Sequence, residues 1–493
     1  MHVLVILLIA AVLLADQDVG LALSLPDGWG WLVPVVAFVP PVVCLLVEMI
    51  LIRRTVRAAS SGSSSVIRDA GRRLRLIQWI AVVSSVIALL GMGWLELLRA
   101  TIGDQIGLDE LLAVIPALVL VCLAWAVQWP LERLVREALL IRRLDHGLPI
   151  HPVQTRAAYV IVQMRSHLLI VLVPALMVLT GVEIADWVVQ KSATVQTAAW
   201  LTPIVTGAVA LGLIFLAPVG VIVAIGARPL APGSLRASME TIIKSGKVCV
   251  RNIMLWPTGG SILNGAVIGF LPRLRYVLLT DGLLETLSAG ELRAVMAHEV
   301  GHLKYRHLPW TLAVLLGLIW ISAQFFDWIV PPLYELLYEY GMASESVAST
   351  IQSTGTVMVL VVTFVAYGWV SRRFERQADA AAACELSASE EQEEGAQEAG
   401  EVVTARGAGL MCAALESVAV LNGLDPQRNT WRHGSIRWRQ QNLLRVIGQP
   451  VDQLQIDAHV RTIKMVTVIT LAILVVLSVI DASMYDSVAA YQE

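Results

Sequence analysis

Eight apolar runs of about twenty residues or more constrain this chain more than any other feature. They lie at roughly 31–52, 77–98, 111–130, 167–188, 198–226, 309–331, 351–370 and 463–485. A bilayer core takes about 20 residues of helix. Inside it, every backbone polar group must find its partner within the segment, which favours helices. Composition points the same way, with 57% hydrophobic and only 15% charged residues among 493, far from the balance of a soluble globular chain. A ninth, shorter run covers His2 to Ala15. It lacks a basic start and a small-residue cleavage signal before Asp16, so it reads as a short first span rather than a signal peptide. The expected fold is a polytopic α-helical membrane protein of about nine spans.

Loop charge orients those spans. Residues 53–75 carry seven arginines against the single acid Asp69, and 131–166 carry six arginines. Residues 16–30 hold Asp16, Asp18 and Asp27, and 332–350 hold Glu335, Glu339 and Glu345, with no Lys or Arg in either. Basic loops stay in the cytoplasm, so the N-terminus and the two long polar segments, 227–308 and 371–462, are expected there. Together those segments have the size of one domain. The chain then divides into an N-terminal membrane region (1–226, about six spans), a first polar part (227–308), a membrane hairpin (309–370), a second polar part (371–462) and a last span with a short tail (463–493). The net charge of −3 gives no reason to expect nucleic acid as a partner. Five scattered cysteines with no CxxC pair argue against a disulfide framework and a thiolate metal site. A metal here would have to be held by histidine and carboxylate.

The first polar part predicts a mixed α/β, mainly helical fold. A helix is expected around 235–247, then strands at 248–255, 262–270 and 275–280, separated by Pro257, Gly259, Gly260 and Pro272. Ser288 and Glu291 then form a capping box ahead of ELRAVMAHEVGHLKY, predicting a helix of about 16 residues. On that helix His298 and His302 are four apart and share a face, so both imidazoles can reach one ion. Glu299 lies beside that face, placed to take a proton from a metal-bound water whose pKa zinc lowers towards about 7. A chance spacing in a surface helix is the plain alternative. A catalytic zinc needs a third protein ligand, and SRRFERQADAAAA offers Glu375 and Asp379, again four apart. That pattern suits one carboxylate on the metal and another orienting a ligand histidine; the alternative is a solvated face pairing with nearby arginines.

HEVGH followed by a membrane hairpin and SRRFERQADA resembles the integral-membrane zinc metallopeptidases, which include the type 1 CAAX prenyl protease and the heat-shock protease HtpX. The likeness runs over about 235–443 and takes in NGAVIGFLPRLRYVLLTDGLLETLSAGELRAVMAHEVGH and WRHGSIRWR. It implies a zincin-like domain on the cytoplasmic side of a membrane, the bacterial inner membrane. One zinc ion is implied on His298, His302 and Glu375, with Glu299 as general base. Peptide or membrane-protein substrates are implied, and a strand at Asn264, Gly265 and Ala266 would be the edge to which a substrate peptide adds; an ordinary buried strand is the alternative. His433 would donate to the oxyanion, and Arg439 would anchor its loop or a nearby carboxylate. Arg432, Arg437, Arg439 and Arg445 otherwise read as a basic loop facing anionic lipid.

Three features depart from that pattern. Six spans precede residue 227, Gly434 and Ser435 follow His433, and the acidic insert ELSASEEQEEGAQEAGE (385–401) reads as a disordered, solvated loop. CAAX-type processing is therefore one alternative function. Glu48, Glu96, Glu183, Asp186 and Asp327 lie in or near spans, where charges mark candidate functional sites. Most fall near predicted helix ends, which suits an interfacial place. They support the other alternative, a catalytically silent transporter or scaffold.

Overall fold

The computed structural model describes residues 2–16, 28–60, 64–103, 106–145, 152–192, 194–342, 344–393 and 402–489. Two compact units emerge: Met1–Arg228 with Leu255–Ser261, and Pro229–Met254 with Ile262–Glu493.

The first unit is helical. Its helices are α1 (His2–Asp16), α2 (Leu32–Ser60), α3 (Ser64–Met92), α4 (Trp94–Ile102) and α5 (Leu108–Asp145). They continue with α6 (Arg156–Met164), α7 (Ile170–Ser192) and α8 (Val195–Ile225), with a π-helical turn joining α6 to α7. Among the described residues of the whole chain, eight helices are long and apolar enough to cross a membrane, one for each long apolar run. The chain is a polytopic helical membrane protein. The ninth run differs: α1 has 15 residues, about 22 Å at 1.5 Å per residue, shorter than a hydrocarbon core of about 30 Å. Leu4, Val5, Leu8 and Val12 on α1 are buried in a cluster with Val82, Leu89, Val114 and Val121 of α3 and α5.

Glu48 lies near the end of its apolar run and is enclosed by neighbouring helices. It is 2% exposed and receives Arg73 Nε at 2.7 Å on Oε2. Arg73 Nη2 also donates to Thr55 Oγ1 at 3.0 Å, and Gln128 Nε2 donates to Glu48 Oε1 at 3.4 Å. A second buried pair joins Arg99 Nε to Asp109 Oδ2 at 2.5 Å and Arg99 Nη2 to Glu110 Oε1 at 2.8 Å.

A four-stranded sheet and eight more helices complete the chain. The strands are β1 (Arg228–Pro229), β2 (Asn252–Trp256), β3 (Gly265–Ile268) and β4 (Tyr276–Thr280), in the order β1-β2-β4-β3. β3 therefore ends the sheet. It pairs antiparallel with β4, Gly265 opposite Leu279 and Ala266 opposite Leu278. The helices are α9 (Ser234–Ser245), α10 (Asp281–Thr286), α11 (Ala289–Lys304) and α12 (His307–Glu339), then α13 (Glu345–Glu393), α14 (Ala405–Leu421), α15 (Ile436–Val446) and α16 (Gln455–Ala489). Val277, Leu279 and Leu283 pack with Ala294, Met296 and Ala297 of α11 and with Phe374 and Ala382 of α13 in one core.

Ser288 Oγ accepts from the Glu291 backbone N–H while the Glu291 carboxylate accepts from the Ser288 N–H, so the capping box forms and sets the start of α11. One local reading changes. The acidic insert is not a loop from its start, because α13 continues through Glu393; residues 394–401 lie outside the described part. Between α11 and α12, Arg306 takes a left-handed conformation with φ 54°, which breaks the helix and turns the chain before His307.

Candidate metal centre

α11 and α13 meet at Gly301. A Cβ there would lie 3.2 Å from the Cα and carbonyl oxygen of Ala378 and 3.2 Å from the Ala381 Cβ. The hydrogen side chain between the two histidines thus lets the helices cross closely. That crossing brings Glu375 to a pair of residues remote in sequence.

His298 Nε2 and His302 Nε2 stand 3.2 Å apart. Glu375 Oε2 is 3.7 Å from the first and Oε1 is 3.7 Å from the second. Ligands on zinc bonds of about 2.0–2.1 Å at tetrahedral angles are spaced by about 3.3 Å, so this donor set fits one zinc ion. His298, His302 and Glu375 form a candidate metal-binding group, with donor atoms all within 4.8 Å of one another.

The surrounding residues fix the ligands. His298 Nδ1 contacts Asp379 Oδ1 at 3.0 Å. Arg439, 7% exposed, clamps that carboxylate with both arms, Nε to Oδ2 at 2.8 Å and Nη2 to Oδ1 at 2.6 Å. The same Nη2 lies 3.5 Å from Glu375 Oε2. A bidentate guanidinium holds a planar carboxylate in one orientation, and here it partly offsets the charge of two neighbouring acids. On the other ligand, His302 Nδ1 sits 2.9 Å from His307 Nδ1.

Glu299 is buried beside this group. Burial pushes its carboxyl above the usual carboxylate range, only partly opposed by the charges of His298, His433 and Arg439. Its side chain lies under the sheet edge: a Cβ on Gly265 would come within 3.5 Å of Glu299 Oε1 and 3.1 Å of Val295 Cγ1. Glycine at 265 brings β3 close to that carboxylate. Asn264 precedes the strand, its N–H donating to Thr280 Oγ1 at 3.0 Å, and Ala266 follows within it.

His433 is placed differently from a free donor. Its side chain is 49% exposed and Nδ1 contacts Glu375 Oε1 at 3.0 Å, the oxygen that also faces His302. The residues the sequence did not single out are Gly301, His307 and the two that follow His307 in a hydrogen-bonded chain, Gln377 and Asp457. His307 stood in plain view as the third histidine of AVMAHEVGHLKYRH, but no helical spacing links it to His302. Gln377 and Asp457 carry no signal of their own.

Residues 240–443 match the family model of Peptidase family M48. Protease HtpX of Pseudomonas putida (strain W619) is 32% identical over 108 residues, 22% of this chain and 36% of that protein. CAAX prenyl protease 1 homolog of Arabidopsis thaliana is 28% identical over 156 residues, 31% of this chain and 37% of that protein. The chain thus spans little more than a third of the length of these curated relatives. It is also similar to the crystal structure of S. mikatae Ste24p, with 14% identity and a TM-score of 0.43 over 85% of this chain and 99% of that one. The resemblance noted in the sequence is shown over the matched segment.

Proposed function

With the match of residues 240–443 to Peptidase family M48 as premise, we propose that the chain is a membrane-embedded zinc endopeptidase. It cleaves membrane-associated or misfolded proteins at the cytoplasmic membrane surface, in a bacterial inner membrane. The observation that carries this reading is the convergence of His298, His302 and Glu375 on one point. Zinc bound there supplies a Lewis acid for the scissile carbonyl and an acidified water. Glu299 takes the proton from the attacking water and returns it to the leaving amine, a task suited to a carboxyl raised by burial. Asp379 and Arg439 hold His298 in orientation. The free side of β3, from Gly265 and Ala266 onward with Asn264 leading into it, takes the substrate backbone as an added strand beside Glu299. His433 donates to the oxyanion as charge develops on the carbonyl oxygen. α11 leads into the span-length α12, and Glu375 lies on α13, itself of span length, which supports a site near the lipid headgroups, and the basic loops support the cytoplasmic side.

The test compares membrane proteomes from cells holding wild-type protein or Glu299→Gln. Fragments should appear only with the wild type, while the purified variant keeps its zinc, because the amide preserves shape but accepts no proton. Cleavage by Glu299→Gln at a near wild-type rate would reject Glu299 as the base. For orientation, single cysteines at Ser64 and Ser346 in a cysteine-free background should be shielded from and open to an impermeant thiol reagent, respectively. Labelling at Ser64 from outside would reverse the topology. CAAX-type processing is a second reading, supported by the similarity to the Arabidopsis protein; cleavage of a prenylated peptide by the wild type, absent with Glu299→Gln, would select it.

A further inference from the structure

We propose that His307 is a positioning residue: it fixes the tautomer and ring orientation of His302 through a one-way hydrogen-bond relay that starts at Asp457. The inference rests on the zinc reading of His302. It follows from which atoms can donate to which. The Asp457 carboxylate accepts only, so the group facing its Oδ1 at 2.5 Å is the Gln377 amide nitrogen, Nε2. That turns Gln377 Oε1, an acceptor, towards His307 Nε2 at 2.8 Å, and Nε2 must carry the proton. A neutral His307 then presents a lone pair at Nδ1, 2.9 Å from His302 Nδ1. His302 must donate there, which leaves the lone pair of its Nε2 aimed at His298 and Glu375. One carboxylate on α16 thereby sets the orientation of an amide on α13 and the tautomers of a ring on α12 and a metal ligand on α11.

The geometry holds the relay rigid. His307 and Gln377 are each 2% exposed, so water does not compete for their atoms. The His307 ring stacks on Phe374 with centroids 4.6 Å apart and planes 3° from parallel, and it also stacks on Tyr305 at 5.9 Å and 15°. On an uninterrupted helix, residues five apart point about 140° away from each other. The left-handed Arg306 breaks the helix and lets His307 return to His302. The two ligand histidines are therefore oriented by unlike partners. His298 has a carboxylate, Asp379, which strengthens it as a donor; His302 meets a neutral ring, with the carboxylate held off at the far end of the relay, which fixes direction without adding charge beside Glu375.

The experiment uses the full chain purified in detergent. Zinc affinity is measured by chelator competition, and the absorption spectrum of the cobalt-substituted protein reports ligand geometry. His307→Phe keeps the ring stacking and removes both nitrogens. It should weaken zinc binding by about 10–100-fold, the usual effect of losing an outer partner of a ligand histidine, and alter the cobalt spectrum. His307→Asn returns an acceptor oxygen near the Nδ1 position and should recover most of the affinity. Asp457→Leu, remote from the metal, removes the acceptor that sets the direction and should give an intermediate loss with the fold intact. Wild-type affinity in His307→Phe overturns the proposal. So does equal loss in His307→Phe and His307→Asn, which would show that an acceptor at the Nδ1 position is not what His302 needs, and so does wild-type affinity in Asp457→Leu. If the wild type itself binds no zinc, the metal reading fails and takes the relay with it.

Discussion

Two buried charged clusters in this molecule look alike in composition and differ in what they leave over. Around Glu48, each side is answered: Arg73 donates to both carboxylate oxygens, at 2.7 and 3.3 Å, and Thr55 and Gln128 complete the set. Around Glu375, the nitrogens of His298 and His302 and the carboxylate oxygens face one another with acceptors converging on one point. A closed pair neutralises itself and holds helices together. A convergent set of lone pairs can hold a cation. Burial of charge by itself therefore says little about function, and the surplus of acceptors says much.

The largest test of that distinction is removal of one converging donor. His302→Ala should lower zinc content from about one ion per chain to near none, abolish proteolysis and leave the helical content intact. If metal analysis finds a full ion in the variant, the donor set is wrong. A smaller effect is expected at the rim of the same cluster. His433→Ala should reduce kcat by about 10²–10³ with zinc and KM little changed, the mark of a contact made mainly in the transition state. A fall in zinc affinity with kcat preserved would instead assign His433 to steadying Glu375.

At the closed cluster, Arg73→Ala strands the Glu48 carboxylate and should cost about 3–5 kcal/mol of stability, read as a lower melting temperature in detergent, with zinc affinity unchanged. Replacing Glu48 and Arg73 together with apolar residues should restore most of that loss; a double variant as unstable as the single one would show that the pair is more than structural. The smallest effect belongs to the cap of α11. Ser288→Ala should cost about 1 kcal/mol without altering metal content. Burial tends to raise Glu291, but its bonds with Ser417 and Ser288 prevail and hold its pKa below the ordinary 4.5. The depressed value adds stability that is fully present above pH 4.5 and fades as pH falls through the folded pKa. An acid titration of the melting temperature in wild type and Ser288→Ala should show this contribution shrinking in the variant.

What the amino-acid sequence determined by itself is the set of features that near neighbours decide. Runs of apolar residues specify span-length helices because each such helix satisfies its own backbone, and all eight long runs became one. Ser288 and Glu291 specify where α11 begins, and the spacing of His298 and His302 puts them on one face, because cap and period are properties of a few consecutive residues. Tertiary structure alone decided the rest. The short first run became a 15-residue helix packed against α3 and α5, and Glu48 went inside because Arg73 and Gln128 come from other helices to meet it. The left end of the acidic insert joined α13. Glu375 reaches the histidines only because α11 and α13 cross at Gly301, and His307 orients His302 only because Arg306 turns the chain back. Which helix faces meet, and which donor then points at which acceptor, depends on contacts between residues far apart in the chain, and such contacts leave no periodic trace in the sequence.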